Sequence, residues 1–148
     1  MRNRVLTMSI KILTGALRDD FALVLDAEVF SSHKAIPESA LIDTGMTNFR
    51  DDAYIALSTK TMEELDLSNT GEISVVGIDG QETRKKVLTN IRLINNGNIV
   101  YTFNNIPAVV VDISDDEILL STNFLMDYMK CIRLIIDMEN KTMRIICP

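Results

Sequence analysis

Alternation of apolar and polar residues runs along most of the chain and predicts a protein built mainly of short β-strands. Between Phe21 and Val29 every second residue is apolar, and a mixed set that includes Asp26 and Glu28 lies between them. Such a pattern is typical of a strand with one buried face. The β-branched run Val109-Val110-Val111 is suited to a buried strand.

Two hairpins are predicted from the order of these strands and the turns between them. The runs Ile73 to Ile78 and Thr83 to Ile94 flank the dipeptide Asp79-Gly80, which suits the positive φ angles of a tight turn. Near the end of the chain, Ile132, Leu134 and Ile136 alternate with polar residues, and a polar turn at 139–141 leads into a second apolar run at 143–147. Both segments are expected to form antiparallel pairs.

Signals for helices are few and short. Asp51-Asp52 could cap a turn carrying the apolar residues of 53–57, because acids are favourable at a helix start. Residues 61–64 have the spacing of a capping box that begins at Thr61. Thr122 could cap a segment over 124–129 whose apolar side chains share one side. We therefore expect an all-β protein with one or two short helices.

Bulk composition excludes several classes of function. The chain has 148 residues, of which 47% are hydrophobic, and this is enough for the core of one domain spanning residues 1–148. Its net charge of −6 disfavours nucleic-acid binding, which needs a basic face to neutralise phosphates. No apolar run approaches the roughly 18 residues of a membrane span. The expectation is a cytoplasmic protein that binds neither nucleic acid nor membrane.

Cysteine and histidine supply little material for a metal site or a nucleophilic triad. Cys131 and Cys147 lie in apolar, strand-like stretches and form a poor disulfide framework, without metal-ligand partners at useful spacing. His33 is the only histidine. We expect no metal and no cofactor.

The strongest chemical signal is Asp43, which follows the apolar residues Leu41 and Ile42 and precedes Thr44 and Gly45. A strand would deliver this carboxylate into an apolar surround, where its charge requires hydrogen bonds or a partner. Gly45 permits a tight turn with a backbone N–H directed back at the carboxylate. An Asp-Thr-Gly triplet alone is also compatible with an ordinary capped turn.

A second segment of the chain is similar to the one that carries Asp43. Residues 41–49 read Leu-Ile-Asp-Thr-Gly-Met-Thr-Asn-Phe, and residues 119–125 read Leu-Leu-Ser-Thr-Asn-Phe-Leu. Both consist of an apolar strand end followed by small polar residues and a short helix start.

Over roughly residues 15–147 the chain resembles the retropepsin-like aspartic proteases, the single-lobe relatives of retroviral protease. The segment Ala40-Leu41-Ile42-Asp43-Thr44-Gly45 matches the catalytic motif of that family, and the Asp79-Gly80 hairpin lies where the family has its substrate-covering flap. The stretch 118–125 is similar to the second family signature, and 132–146 to the closing hairpin.

The resemblance implies a single retropepsin-like lobe, with closed, barrel-like sheets, that works as a homodimer. Since the chain has one Asp-Thr-Gly, two copies would each contribute Asp43 to a pair of carboxylates sharing one proton. It also implies that a peptide or protein substrate lies extended beneath the flap and that Met143 to Cys147 lies at or beside the dimer interface. The implied site residues are catalytic Asp43; supporting Thr44 and Gly45; flap residues Ile78, Asp79 and Gly80; and the second-signature residues Leu120, Ser121, Thr122 and Asn123.

Two positions depart from the family pattern. Ser121 stands where the second signature has glycine, so its Cβ must fit against the loop carrying Asp43 and some strain or displacement is expected. Met46 stands where a small residue is usual. An aspartic endopeptidase is the function implied by the intact Asp-Thr-Gly. Two alternatives stay open: a catalytically silent dimeric module that binds peptides or serves assembly, and an unrelated small β-barrel binding domain.

Overall fold

Ten strands form a single sheet in the computed structural model, which describes residues 9–43, 53–77 and 80–148. The elements are β1 Lys11–Leu17, β2 Leu23–Phe30, β3 Ala35–Asp43, β4 Ile55–Leu57, α1 Thr59–Glu64, β5 Asn69–Gly77, β6 Gly80–Asn95, β7 Asn98–Val110, β8 Glu117–Ser121, a π-helical turn Phe124–Tyr128, β9 Arg133–Asp137 and β10 Thr142–Cys147. The prediction of a mainly β protein with few, short helices is confirmed.

The sheet closes on itself because β2 shares one of its edges between two neighbours. Its first residues, Leu23 and Val24, pair with β1, whereas Asp26 to Phe30 pair with β6. The second pairing closes a ring in the order β2, β3, β8, β4, β7 and β6. Strand β5 extends this ring from β6, and β1, β10 and β9 extend it from β2. The predicted barrel-like closure is confirmed.

The inside of this ring holds the core, as the alternating pattern predicts. On β2 the residues Leu23, Leu25, Ala27 and Val29 are buried, and those between them are at least partly accessible. Phe21 was expected to begin this strand, but it lies in the preceding turn with a φ of 66° and is exposed. The largest fully buried side chains come from strands on every side of the ring and from the π-helical turn, and they include Leu25, Ile91, Leu93, Ile118, Leu120 and Phe124.

The hairpin predicted around residues 79–80 is present as β5 and β6. Its strands are longer than the expected ones, and their last cross-strand pair is Gly77 with Gly80. Gly80 therefore belongs to β6, with a φ of 110°, and the connection between the strands consists of residues 78 and 79. Ile78 and Asp79 lie outside the described residues.

The structure differs from the first two predicted helix starts. Residues 55–57 form the buried strand β4, because β7 and β8 hydrogen-bond on either side of it. Asp51 and Asp52 lie outside the described residues. Helix α1 is capped by Ser58, whose hydroxyl oxygen accepts the N–H of Thr61 at 3.1 Å, so Thr61 lies inside the helix.

The closing hairpin is confirmed as β9 and β10, and β10 lies between β1 and β9. The expectation that the two cysteines do not pair is wrong, since Cys131 and Cys147 form a disulfide. The two cysteines are 16 residues apart in the sequence, and the β9–β10 hairpin brings the end of β10 back to Cys131, two residues before β9 begins.

Candidate active site at the ends of β3 and β8

Asp43 is the last residue of β3 and is partly accessible. Strand β3 runs parallel to β8, and the register places Asp43 directly opposite Ser121 and Ile42 opposite Leu120. The two strands run in the same direction and end at the same edge of the sheet. Asp43 and Ser121 therefore lie side by side at the ends of a buried apolar strand pair.

The internal similarity seen in the sequence has a structural counterpart in this strand pair. Leu41 pairs with Leu119, as Ile42 does with Leu120 and Asp43 with Ser121. The strand parts of the two similar segments, 41–43 and 119–121, are therefore aligned position for position across a parallel ladder. Each leads from a strand of the ring to the same edge of the sheet.

Ser121 is buried, and both its backbone and its side chain are engaged. Its N–H donates to the carbonyl oxygen of Tyr54 at 3.0 Å, and its hydroxyl oxygen accepts the N–H of Phe124 at 3.1 Å. The residue continues the extended backbone of β8 and is not among the positive-φ residues, so the expected backbone strain is not found. The hydroxyl satisfies one of the free N–H groups at the start of the following helical turn. Ser121, rather than the predicted Thr122, therefore caps this segment.

An aromatic cluster packs behind the two strand ends. The ring of Phe124 is fully buried, with its centroid 5.3 Å from that of Phe103 and 5.6 Å from that of Tyr128. Tyr54 meets Tyr128 edge to face at 4.8 Å. Since the Tyr54 carbonyl accepts the N–H of Ser121, the cluster fixes the end of β8 as well as the helical turn.

An apolar cavity of about 160 Å³ opens beside the strand ends. Ile42 and Thr122 form the side nearest Asp43 and Ser121. The rest of the lining comes from the helical turn and the closing hairpin and consists of Leu125, Met126, Cys131, Ile132, Arg133, Leu134 and Ile145. The cavity therefore joins the candidate site to β9.

The predicted site residues divide into three groups. Leu120 and Ser121 are brought beside Ile42 and Asp43, and Thr122 and Asn123 follow them, both partly accessible. Gly80 lies in the β5–β6 hairpin and pairs with Gly77. Residues that lie outside the described part of the chain are Thr44, Gly45, Met46, Ile78 and Asp79.

The sequence did not predict most of the aromatic residues that pack against the ends of β3 and β8. Tyr128 was expected on the same side of the helical turn as Phe124, but Tyr54 and Phe103 are distant in sequence and no local pattern indicates that they join this cluster. The apolar lining of the cavity had a signal, the alternation of Ile132 and Leu134, but that pattern was assigned to an ordinary strand face.

Neither a metal cluster nor a membrane helix is found in the part of the chain that the structure describes. No three His, Cys, Asp or Glu side chains of the described ranges come together in a way that could hold a metal ion. No helix within the same ranges is long and apolar enough to cross a membrane.

Comparison with solved structures identifies proteins with a similar fold. The chain is similar to a retropepsin-like aspartic protease from Rickettsia conorii, with a TM-score of 0.56 and 17% sequence identity, over 94% of this chain and 92% of that one. It also aligns with EIAV protease in an inhibitor complex (TM-score 0.44, 17% identity, 71% of this chain and 86% of that one) and with simian foamy virus protease (0.45, 17%, 72% and 96%). No protein-family model and no curated protein matches the sequence. The chain has the retropepsin-like fold.

Proposed function

We propose that the protein is an aspartic endopeptidase whose two catalytic carboxylates are the Asp43 side chains of two copies of the chain. The observation that carries this proposal is the position of Asp43, at the end of β3 and opposite Ser121 in the parallel β3–β8 pair. The retropepsin-like fold supports it, since the Rickettsia protein with this fold is described as an aspartic protease.

A second copy is needed because the chain cannot supply the second carboxylate at the equivalent position. Ser121 occupies that position, and its hydroxyl oxygen is engaged with the N–H of Phe124. A serine hydroxyl does not ionise near neutral pH and cannot share an acidic proton with Asp43. A two-fold axis passing between two Asp43 side chains would bring two carboxylates together from identical positions.

The chemistry would need only these two groups and a water molecule. Two adjacent carboxylates do not ionise together easily, so one holds the proton while the other is charged. The charged member deprotonates the water that attacks the scissile carbonyl, and the protonated member donates to the oxygen on which charge develops. Thr44 and Gly45 would brace the Asp43 loop.

Substrate would bind as an extended segment between the strand ends and the β5–β6 hairpin. In this arrangement backbone groups supply most of the hydrogen bonds, as they do when a peptide adds a strand to a sheet. Ile78, Asp79 and Gly80 would cover it. Gly80 has a φ of 110° and open space around its Cα, so the hairpin end admits a conformation that other residues rarely adopt.

A silent peptide-binding or assembly module is the second candidate. The apolar cavity next to Ile42 favours it, because such a surface can bind an apolar side chain without any reaction. The two candidates share the homodimer and the bound peptide, and they differ only in turnover.

Incubation of the purified protein with a peptide library at several pH values tests the proposal. We expect cleavage by the wild type and none by Asp43→Asn, which keeps the shape of the side chain but cannot share a proton. Asp26→Asn is the matched control, since Asp26 is exposed on β2 and its loss changes the net charge equally. Binding of a pepstatin-type inhibitor without cleavage of any peptide would favour the silent module, and cleavage by Asp43→Asn would remove Asp43 from the mechanism.

A further inference from the structure

A polar pocket lies near the start of β3, far along that strand from Asp43. Its volume is about 300 Å³, and its lining consists of Ile36, Pro37, Lys60, Thr61, Glu64, Ser114, Asp115 and Asp116. These residues come from β3, α1 and the connection between β7 and β8. Glu38, which adjoins the pocket, and Asp43 are five positions apart on β3, or roughly 16 Å along the strand. The pocket shares no lining residue with the apolar cavity beside Asp43.

Negative charge predominates around this pocket. Glu64, Asp115 and Asp116 bring three carboxylates to its lining, against the single amino group of Lys60. Lys60 and Lys34 both lie within ion-pair distance of Glu64, at 3.7 and 3.5 Å. Within the described part of the chain, no cationic side chain pairs with Asp115 or Asp116. Two carboxylates at the pocket are therefore available to a positive group from outside.

Glu38 adds a fourth carboxyl group on the inner side of the pocket. It is 5% exposed, and Thr61, which lines the pocket, donates its hydroxyl to Oε1 at 2.8 Å. The side chain therefore points from β3 toward α1, on the same face of the strand as the lining residue Ile36. The other oxygen, Oε2, is buried and has no hydrogen-bond partner among the described residues.

A buried carboxyl oxygen without a donor is costly. Burial raises the pKa of Glu38, and the neighbouring carboxylates of Asp116, Glu64 and Asp115 raise it further. A cation in the pocket would act on all four groups, because it would offset their repulsion and favour the ionised form of Glu38. The unpartnered oxygen and the surplus of negative charge therefore point to the same kind of ligand.

We propose that this pocket binds the guanidinium group of an arginine side chain from another polypeptide. In the described ranges no three acidic, histidine or cysteine side chains come together in a way that could hold a metal ion, so the carboxylates suit a larger cation. A guanidinium is planar and carries five N–H donors, which can bind more than one carboxylate at once. The apolar side chains of Ile36 and Pro37 offer a surface for the methylene stem. Arginine fits this combination better than the compact, strongly hydrated ammonium of lysine.

Titration of the isotope-labelled protein with N-acetyl-arginine methylamide gives the first test, with backbone amide signals as the readout. This probe presents the side chain with neutral ends. We expect saturable shifts at Thr61 and Asp116 with a Kd on the order of 1 mM, because each exposed ion pair contributes little. The citrulline analogue has nearly the same shape without the charge and should cause no saturable shift. Equal binding of both probes, or no shift at these amides from the arginine probe, would overturn the proposal.

Substitutions test which groups bind the probe. Asp116→Asn and Glu38→Gln should each weaken binding by about fivefold, since each removes one carboxylate and keeps the side-chain shape. Glu63→Gln is the matched control, because Glu63 is exposed on α1 outside the lining and its loss changes the net charge equally. Equal weakening by Glu63→Gln would mean that only the net charge of −6 attracts the probe, and the proposal would be wrong. The comparison of the two probes on the wild type remains decisive if a variant fails to fold.

Asp43→Asn separates this inference from the proposed function. The variant should bind the arginine probe as tightly as the wild type does, whether or not the wild type cleaves peptides. Loss of binding in Asp43→Asn would place the probe at the candidate active site and contradict the proposal. Absence of peptide cleavage by the wild type would remove the protease function and leave the arginine site intact.

Discussion

Asp43 and Ser121 face each other across a parallel strand pair, each at the point where the strand ends within one of two similar segments from opposite halves of the chain. The carboxylate is partly accessible, and the hydroxyl is buried and accepts a backbone N–H. The carboxylate of Asp43 is therefore available for chemistry, whereas the hydroxyl of Ser121 caps the helical turn that follows it. This asymmetry within one chain is why we assign the second carboxylate to a second copy.

Replacing Asp43 with asparagine should remove peptide turnover without preventing dimerisation. Loss of a positioned acid or base typically lowers a rate by about 10²–10⁴-fold, and here both members of the dyad are lost together. Asparagine keeps the shape of the side chain, so the variant should sediment as the wild type does. A variant that fails to fold would identify Asp43 as a structural turn residue.

Replacing Ser121 with alanine should destabilise the protein by about 1–2 kcal/mol, because the N–H of Phe124 loses its acceptor. Ser121→Gly should cost at least as much, since glycine also gains freedom in the unfolded chain. The family pattern, in which glycine occupies this position, predicts that Ser121→Gly preserves the fold and raises any peptide turnover. Denaturant unfolding measures the first effect and a peptide-cleavage assay the second, with Ser74→Ala on the exposed part of β5 as the control.

Glu38 should make the stability of the fold depend on pH. Burial raises the pKa of this carboxyl above the ordinary 4.5, with Asp116, Glu64 and Asp115 adding to the effect, although Thr61 donates its hydroxyl to one oxygen at 2.8 Å. The other oxygen has no hydrogen-bond partner among the described residues. The native state therefore holds this proton more tightly than the unfolded chain does, and its stability should fall as the pH rises above 4.5 through the raised pKa.

The variant Glu38→Gln should flatten this dependence and raise the melting temperature near neutral pH. Glutamine keeps an acceptor for the Thr61 hydroxyl and removes the buried charge. Thermal melts from pH 4 to 8 provide the measurement, and Glu63→Gln on the exposed side of α1 is the control. Equal slopes for Glu38→Gln and the wild type would show that Glu38 is ionised in the fold at no cost.

Reduction of the disulfide between Cys131 and Cys147 should lower the free energy of unfolding by about 3 kcal/mol, the value typical of a closed loop of this size. The double variant with serine at both positions should be equally destabilised and insensitive to reductant. Disulfides are rare in the cytosol, so the reduced protein is the relevant form if the predicted cytoplasmic location is correct. Identical unfolding curves with and without reductant would contradict this expectation.

Patterns of period two predicted most of the strands correctly, because one-sided burial is a local property of the sequence. The buried face of β2 and the hairpin of β9 and β10 follow directly from it. The strand Ile55–Leu57 was not predicted, because three buried apolar residues fit a helix or a strand equally well. Pairing with β7 and β8 makes this segment a strand.

The candidate site was predictable only where its chemistry is carried by a local motif. Asp43 was found from the residues around it, and its neighbour Ser121 from the similarity of the two segments. The capping role of the Ser121 hydroxyl depends on a turn that follows it, and the disulfide depends on the return of a hairpin. Alternation also showed that β9 has an apolar face, but it could not show that Leu134 and Ile136 on this face are exposed in the fold.

The parallel pairing of β3 with β8 has a consequence for synthesis of the protein on the ribosome. The two strands are separated in the sequence by β4, α1, β5, β6 and β7, so all of these elements must be synthesised after Asp43 before β8 can pair with β3. Contacts between residues that are so far apart in the sequence form slowly. Under the proposed function, chains that have not reached β8 would lack the assembled site, and a growing polypeptide could not digest its neighbours before β8 has been synthesised.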